Sequence, residues 1–336
     1  MASAQVKASP HFFDVTPTTG WPAGPVAVTY CGDTTYEQAA ANAQEVEMTM
    51  PTPAFGAHRS IAGGFEHAFT AGVGVGCDCL QIFVKNQRQW RAPQLCDRHV
   101  AAYKAGARQT GLTPVLAHAS YLLNLASPDT ATRRKSVHAM VDELERCEAL
   151  GVSALIFHPG AHLGSGIKSG IKRVARSLDQ VHERCPGYRT LILLETTAGQ
   201  GTAVGHRFEQ LAAIIDHVSA SGRLGVCLDT CHLFAAGYDF RKPEDYAAMV
   251  DELGSVIGLS NVKCIHLNDS KRLLGSRVDR HEHIGKGKIG KRGFVHFVND
   301  KRFAHVPMII ETPKGKDGRG TDLDKVNLKR LRALIR

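Results

Sequence analysis

Short apolar runs recur along this chain, and six of them stop on a side chain able to bind a cation: Val115–His118, Ala154–His158, Leu191–Glu195, Leu224–Asp229, Val262–His266 and Met308–Glu311. Runs this short, bounded by turn residues, predict buried strands. A carboxylate inside such a strand would be desolvated at high cost without a partner, so the acids and imidazoles are expected at strand mouths, facing a cleft. The run ending at Asp229 adds a second imidazole, His232, three residues on. Successive endings lie 34 to 45 residues apart, the length of one strand, one helix and their loops.

Two further strands are expected upstream, at Gly56–Ser60 and Leu80–Val84, which places eight near positions 56, 82, 116, 156, 193, 227, 264 and 309. Helical patterns alternate with them, one after Gly63-Gly64 and others over about 95–110, 129–150, 166–184, 206–219, 243–257, 290–300 and 322–335. Pro243 stands where a first helical turn accepts it. Strict alternation implies a parallel sheet, and eight units predict closure into an α/β fold of the (β/α)8 TIM barrel type over residues 55–336. In that fold the six cation-type endings converge on one face.

Residues 1–54 read as an N-terminal extension. Pro10, Pro17, Pro22 and Pro25 oppose regular structure, while Thr34-x-x-Glu37 is a capping-box pattern that could open one helix over Tyr36–Met48. The segment has no apolar h-region and no arginine, which argues against a secretory or mitochondrial leader.

Composition changes this picture in three places. No apolar run approaches the ~20 residues that span a bilayer, so no membrane association is expected. The formal charge is +9, and eight Lys and Arg residues lie between Lys271 and Arg292, flanked by two of the strand endings, which favours a phosphate-facing loop over a merely solvated one. The nine cysteines contain no C-x-x-C pair, so a disulfide framework or zinc ribbon is excluded and a reducing, intracellular setting is expected, in cytoplasm, nucleoid or nucleus according to the source.

The converging set is His118, His158, Glu195, Asp229, His232, His266 and Glu311, joined by Asp279 and His281 from the loop after the seventh strand. Imidazoles with carboxylates suit zinc or manganese, and Cys227 and Cys231 are expected to pack elsewhere. Nine donors exceed what one ion takes, so two or three ions sharing a bridging carboxylate are expected, a type of site that performs in-line displacement at phosphorus.

The chain resembles the endonuclease IV family of apurinic/apyrimidinic (AP) endonucleases from about Phe55 to Thr312. The resemblance is carried by Gly56-Ala-His with Gly63-Gly64, Lys85-Asn-Gln-Arg-Gln-Trp90, Phe157-His-Pro-Gly160, Glu195 with Thr197-Ala-Gly-Gln-Gly201, Asp229-Thr-Cys-His232, His266-Leu-Asn-Asp269, Gly275–His281 and Ile310-Glu311-Thr312. It implies three zinc ions, with manganese able to stand in at part of the cluster. His118, His158 and Glu195 would hold the first ion, and Glu195 would bridge to a second completed by Asp229, His266 and Glu311. His232, Asp279 and His281 would hold the third. Glu195 and Glu311 are then the catalytic carboxylates, the second helping to orient the attacking water.

The implied substrate is double-stranded DNA containing abasic sites. It would be cut 5′ to the lesion, leaving a 3′-hydroxyl and a 5′-deoxyribose phosphate, by a protein expected to act as a monomer. Alternation of Asn86, Arg88 and Trp90 on its own reads as an exposed β-extension with Trp90 packed beneath. By resemblance this loop enters the minor groove and Arg88 wedges opposite the flipped nucleotide, with Tyr121 and Leu122 as a second wedge. Arg59, Ala119 and Thr196 depart from the family pattern without removing a donor. A sugar isomerase or epimerase of the xylose-isomerase type would need neither His118, His158, Asp279 nor His281, and a DNA binder using its metals only structurally would not need so many donors.

Overall fold

The computed structural model describes residues 52–336; the helix expected over 36–48 lies outside the described residues. Eight parallel strands close into a ring. In chain order they are β1 (Phe55–His58), β2 (Cys79–Ile82), β3 (Val115–His118), β4 (Ala154–Phe157), β5 (Leu191–Glu195), β6 (Leu224–Asp229), β7 (Val262–His266) and, after a two-residue antiparallel ladder of β8 (Asp269–Ser270) with β9 (His281–Glu282), β10 (Met308–Ile310). Each pairs with its predecessor, and β10 returns to β1 in the register Phe55↔Met308. The expected barrel is present.

Outside the ring lie α1 (Phe65–Val75), α2 (Asp97–Thr110), α3 (Thr130–Leu150), α4 (Ile167–Arg184), α5 (Phe208–His217), α7 (Pro243–Val256), α8 (Gly290–Asn299) and α9 (Leu323–Arg332). Their starts follow local chemistry: Asp129 accepts from Thr132 N at 2.7 Å to cap α3, and Pro243 occupies the first turn of α7. Apolar residues on their inner faces, such as Val174, Leu178 and Val181 of α4, pack on the outer face of the strands. Burying one such side chain contributes roughly 1.5–3 kcal/mol. The ring interior is filled by a separate cluster of small and branched residues, among them Cys79, Leu116, Ile156, Leu193, Cys227, Cys264 and Ile309. It is a packed core, with room for chemistry only at its mouth. Gly56 is required by this packing, because a Cβ there would collide with the Cys79 carbonyl of the neighbouring strand.

The structure departs from the expected alternation in two places. An extra short helix, α6 (Thr230–Ala236), follows β6 directly. Asp229 caps it by accepting from His232 N at 2.8 Å, and all seven of its residues are buried, so it lacks the polar face by which a helix is read from sequence. The second departure is the segment after β2, which is a turn and not a β-extension: Asn86 Oδ1 accepts from Arg88 N at 3.0 Å, an Asx turn that leaves Asn86 and Arg88 exposed. Trp90 is half-buried against the core as expected.

Candidate metal centre

All nine expected donors meet at the C-terminal mouth of the barrel. His118, Glu195, Asp229 and His266 are the last residues of β3, β5, β6 and β7, and His158 and Glu311 directly follow β4 and β10. His232 comes from α6, one turn beyond Asp229, while Asp279 comes from the loop that joins β8 to β9 and His281 is the first residue of β9. Their side-chain atoms form three groups, each with every donor atom within 4.8 Å of the others: His118, His158 and Glu195; Glu195, Asp229, His266 and Glu311; and His232, Asp279 and His281.

Glu195, fully buried, is the shared member. Its Oε2 lies 2.9 Å from His118 Nε2 and 3.1 Å from His158 Nε2, and its Oε1 lies 3.2 Å from His266 Nδ1 and 3.3 Å from His232 Nδ1. Asp279 spans the third group, 3.1 Å from His232 Nε2 and 3.3 Å from His281 Nε2.

The surrounding hydrogen bonds aim the rings. His118 Nδ1 donates to the Ala119 carbonyl (2.8 Å), His232 Nδ1 to the Thr196 carbonyl (2.8 Å), His281 Nδ1 to the Glu311 carbonyl (3.2 Å) and His266 Nε2 to Gln81 Oε1 (2.8 Å). Each of these imidazoles therefore spends one nitrogen on an acceptor outside the cluster and turns the other inward, the arrangement that fixes tautomer and raises ligand basicity at metal sites. His281 Nε2 is buried and faces the cluster without an aligned hydrogen-bond partner.

Charge balance points the same way. Burial alone would lower the imidazoles, but Asp229 and Asp279 override it for His281, which rises to about 9. Asp229 and Asp279 likewise carry His232, and Glu311 and Glu195 carry His266, well above the ordinary value against burial. Burial would push Glu195 up, yet His158, His266 and His118 hold it well below the usual carboxylate range. His118, His232, His266 and His281 thus retain positive charge against the facing carboxylates, and a divalent cation would compete for the same atoms. Burial raises the Cys231 thiol to about 12, which keeps it a poor ligand, although it stands nearer than expected, grouped with Asp229 and His281. Cys227 also lies closer than expected, beside Cys264 and His266.

The cluster includes supporting residues to which the sequence reading gave no role. Gln81, buried on β2, donates to Glu311 Oε1 at 2.6 Å while accepting from His266. Asn268 donates to Asp229 Oδ2 at 2.6 Å and accepts from Glu311 N at 2.7 Å. His58 sits 3.5 Å from Glu311 Oε1, and burial outweighs that carboxylate and lowers its pKa. An amide inside the apolar run Leu80–Val84 was the visible signal for Gln81.

The three departures also find places. Thr196 Oγ1 accepts from Asp229 N at 2.9 Å, Ala119 supplies the carbonyl for His118, and Arg59 forms ion pairs with Asp322 and the buried Asp324 at the start of α9.

Around the mouth, Arg88 and Tyr121 are exposed, Leu122 is half-buried, and the Tyr121 ring leans on His118 with centroids 5.4 Å apart. Lys271, Arg272 and Arg280 are exposed on the segment that delivers Asp279 and His281, and Lys286 and Lys288 follow it. No helix among the described residues is long and apolar enough to cross a membrane.

Residues 69–334 match the family described as xylose isomerase-like TIM barrel. Among known proteins, a probable endonuclease 4 from Chloroflexus aggregans is 53% identical over 284 residues, covering 84% of this chain and 98% of that protein. A probable endonuclease 4 from Geobacter sulfurreducens is 48% identical over 281 residues, covering 84% and 94%. The solved structure of endonuclease IV from Thermus thermophilus superposes with a TM-score of 0.74 at 38% identity, over 84% of this chain and 98% of that one. A D-tagatose 3-epimerase-like protein, at a TM-score of 0.61 and 17% identity, shares the fold alone. With identities near one half over nearly the full length of these relatives, this chain belongs to the endonuclease IV family.

Proposed function

We propose that this protein is a zinc-dependent AP endonuclease of DNA base excision repair, which hydrolyses the phosphodiester 5′ to an abasic nucleotide and leaves a 3′-hydroxyl and a 5′-deoxyribose phosphate. The observation that carries the reading is the third donor group, His232, Asp279 and His281, set beside a four-donor group that a one-ion sugar isomerase would already find sufficient. The donor chemistry fits three zinc ions, or zinc with manganese at part of the cluster: nitrogen and oxygen donors fill all three groups, four of the five imidazoles engage an acceptor outside the donor set, and one carboxylate is shared.

His118, His158 and Glu195 would hold one ion, Glu195, Asp229, His266 and Glu311 a second, and His232, Asp279 and His281 the third. When bound, such ions supply a nucleophile at neutral pH and neutralise charge on the phosphate oxygens. Glu195 contributes by joining two groups through its two oxygens. Glu311 is held by Gln81 at one oxygen and faces His266 at 3.4 Å with the other, which supports a role in orienting a water beside the reacting phosphate. Asn86, Arg88, Tyr121 and Leu122 would engage the duplex around the extruded nucleotide, and the Lys and Arg residues of 271–288 would bind flanking phosphates.

The protein is expected to act as a monomer on double-stranded DNA. The test is incision of an abasic duplex alongside a ketose and aldose panel, with elemental analysis. Incision that chelation abolishes, with close to three metal equivalents, is the expected result. Sugar turnover without incision, or full activity with one ion or fewer, would overturn the reading.

A further inference from the structure

Away from the nine donors, a buried acid on α3 stands between the two loops that border the mouth. Glu143 is 1% exposed, and its oxygens accept from Ser120 N at 3.0 and 3.3 Å while one lies 3.3 Å from Lys85 Nζ. Lys85 opens the loop that presents Asn86 and Arg88; Ser120 opens the loop that presents Tyr121 and Leu122. The loops are also tied directly. Ser120 Oγ donates to the Gln87 carbonyl at 2.6 Å and accepts from Leu122 N at 3.2 Å.

The same side of α3 grips the first loop elsewhere. Asp142 pairs with Lys85 at 3.0 Å, and Lys85 reaches the Trp90 carbonyl at 3.4 Å. Arg146 donates to the Pro93 carbonyl at 2.7 Å, and Lys135 Nζ stands 4.2 Å from the centroid of the Trp90 ring. Residues 135, 142 and 146 are spaced seven and four apart, one stripe of a helix. Burial pushes Glu143 up to about 7 against the pull of Lys85 and Ser120. A buried ion pair is a weak source of stability, and an apolar residue of similar volume would often serve the fold as well. What a charge accomplishes here is geometry: together with the Ser120–Gln87 hydrogen bond it sets the separation of the two loops.

We propose that Glu143 is a positioning residue for abasic-DNA recognition, holding loops 85–90 and 120–122 as one preorganised unit. The proposal rests on the reading that these loops meet DNA. Loops ordered before binding spare the complex the entropy of ordering them, so loosening the joint weakens affinity more than the chemical step.

Glu143→Gln keeps the volume and one acceptor but removes the charge facing Lys85; Ser120→Ala removes the hydroxyl, and with it the bridge to Gln87 and the acceptor for Leu122 N. The measurements are Kd for abasic and intact duplex, single-turnover rate at saturating duplex, and zinc content. Glu143→Gln is expected to raise Kd for abasic duplex about tenfold, the scale of one hydrogen bond to a charged group, with the loss falling on Kd more than on the saturated rate and with zinc retained. In an Arg88→Ala background the same substitution should lose most of its effect, because a side chain it positions is gone. Full additivity in that cycle, or Kd within about twofold of the parent, overturns the proposal. If circular dichroism shows Glu143→Gln unfolded, the Ser120→Ala cycle decides by the same criterion. A parent that fails to distinguish abasic from intact duplex overturns the proposed function, and this inference with it; a discriminating parent with additive variants overturns the inference alone.

Discussion

Replacing Asp279 by asparagine is the sharpest test of the third donor group. The substitution keeps the shape and removes one negative charge from between His232 Nε2 at 3.1 Å and His281 Nε2 at 3.3 Å. Unit charges about 4 Å apart exchange roughly 4 kcal/mol at an effective dielectric of about 20. The Asp279 side chain is 39% exposed, and solvent screening at that exposure reduces the figure to about 2 kcal/mol. That is about 30-fold in the dissociation constant of a cation held there. The other two groups draw on separate strand ends and keep their donors, so one metal equivalent should be lost and two retained.

An ion at a reacting oxygen acts chiefly in the transition state, so single-turnover incision should fall by at least the same factor. Affinity for abasic duplex should change little, since phosphate contacts and the exposed loops are untouched. Zinc-buffered titration, elemental analysis and rapid-quench incision on one preparation give all three quantities. Near-normal cutting with all metal retained would refute the assignment.

Two further outcomes are expected. Arg88→Ala, on the exposed turn, should weaken abasic-duplex binding by about 1–3 kcal/mol with metal content unchanged, as read by anisotropy and elemental analysis; binding and cutting like the parent would make the loop purely structural. His182 of α4 is buried with no hydrogen-bond partner on either ring nitrogen, and burial followed by Arg223 lowers it to about 4. Between its unfolded value near 6.5 and that lower value the unfolded chain binds the extra proton, so the fold loses stability as pH falls through this window, by roughly 1–2 kcal/mol after screening. Urea denaturation of His182→Leu at pH 7 and pH 4.5 should show a smaller acid loss than the parent; an equal loss would mean the ring is not the titrating group.

The barrel and its donors were legible because both write themselves in one dimension. A strand buried on both faces is an apolar run, and a residue at its mouth is the first polar one after it, so Glu195 and His266 announce themselves. The segment carrying His232 reads differently in the fold, because α6 is two turns long and buried on every side, without the periodic polar face that marks a helix. The Asx turn at Asn86 imitates the alternation of a strand; a side chain bonding its own backbone two residues on cannot be told from period two by pattern alone. Gln81, Asn268 and Glu143 are legible only through what they touch, and their partners lie 23 to 230 residues away in sequence.

The ring has a consequence for how the protein comes to life. The donors of the first group, His118, His158 and Glu195, sit on β3, β4 and β5 or directly after, consecutive neighbours in the sheet. The second group waits for Glu311, directly after the strand that seals the ring against β1. During synthesis the first triad can assemble on a half-made sheet, but the shared pocket is incomplete until Glu311 has emerged and the barrel has shut. Were ions held by these groups, the four-donor pocket would be complete only once the ring had closed.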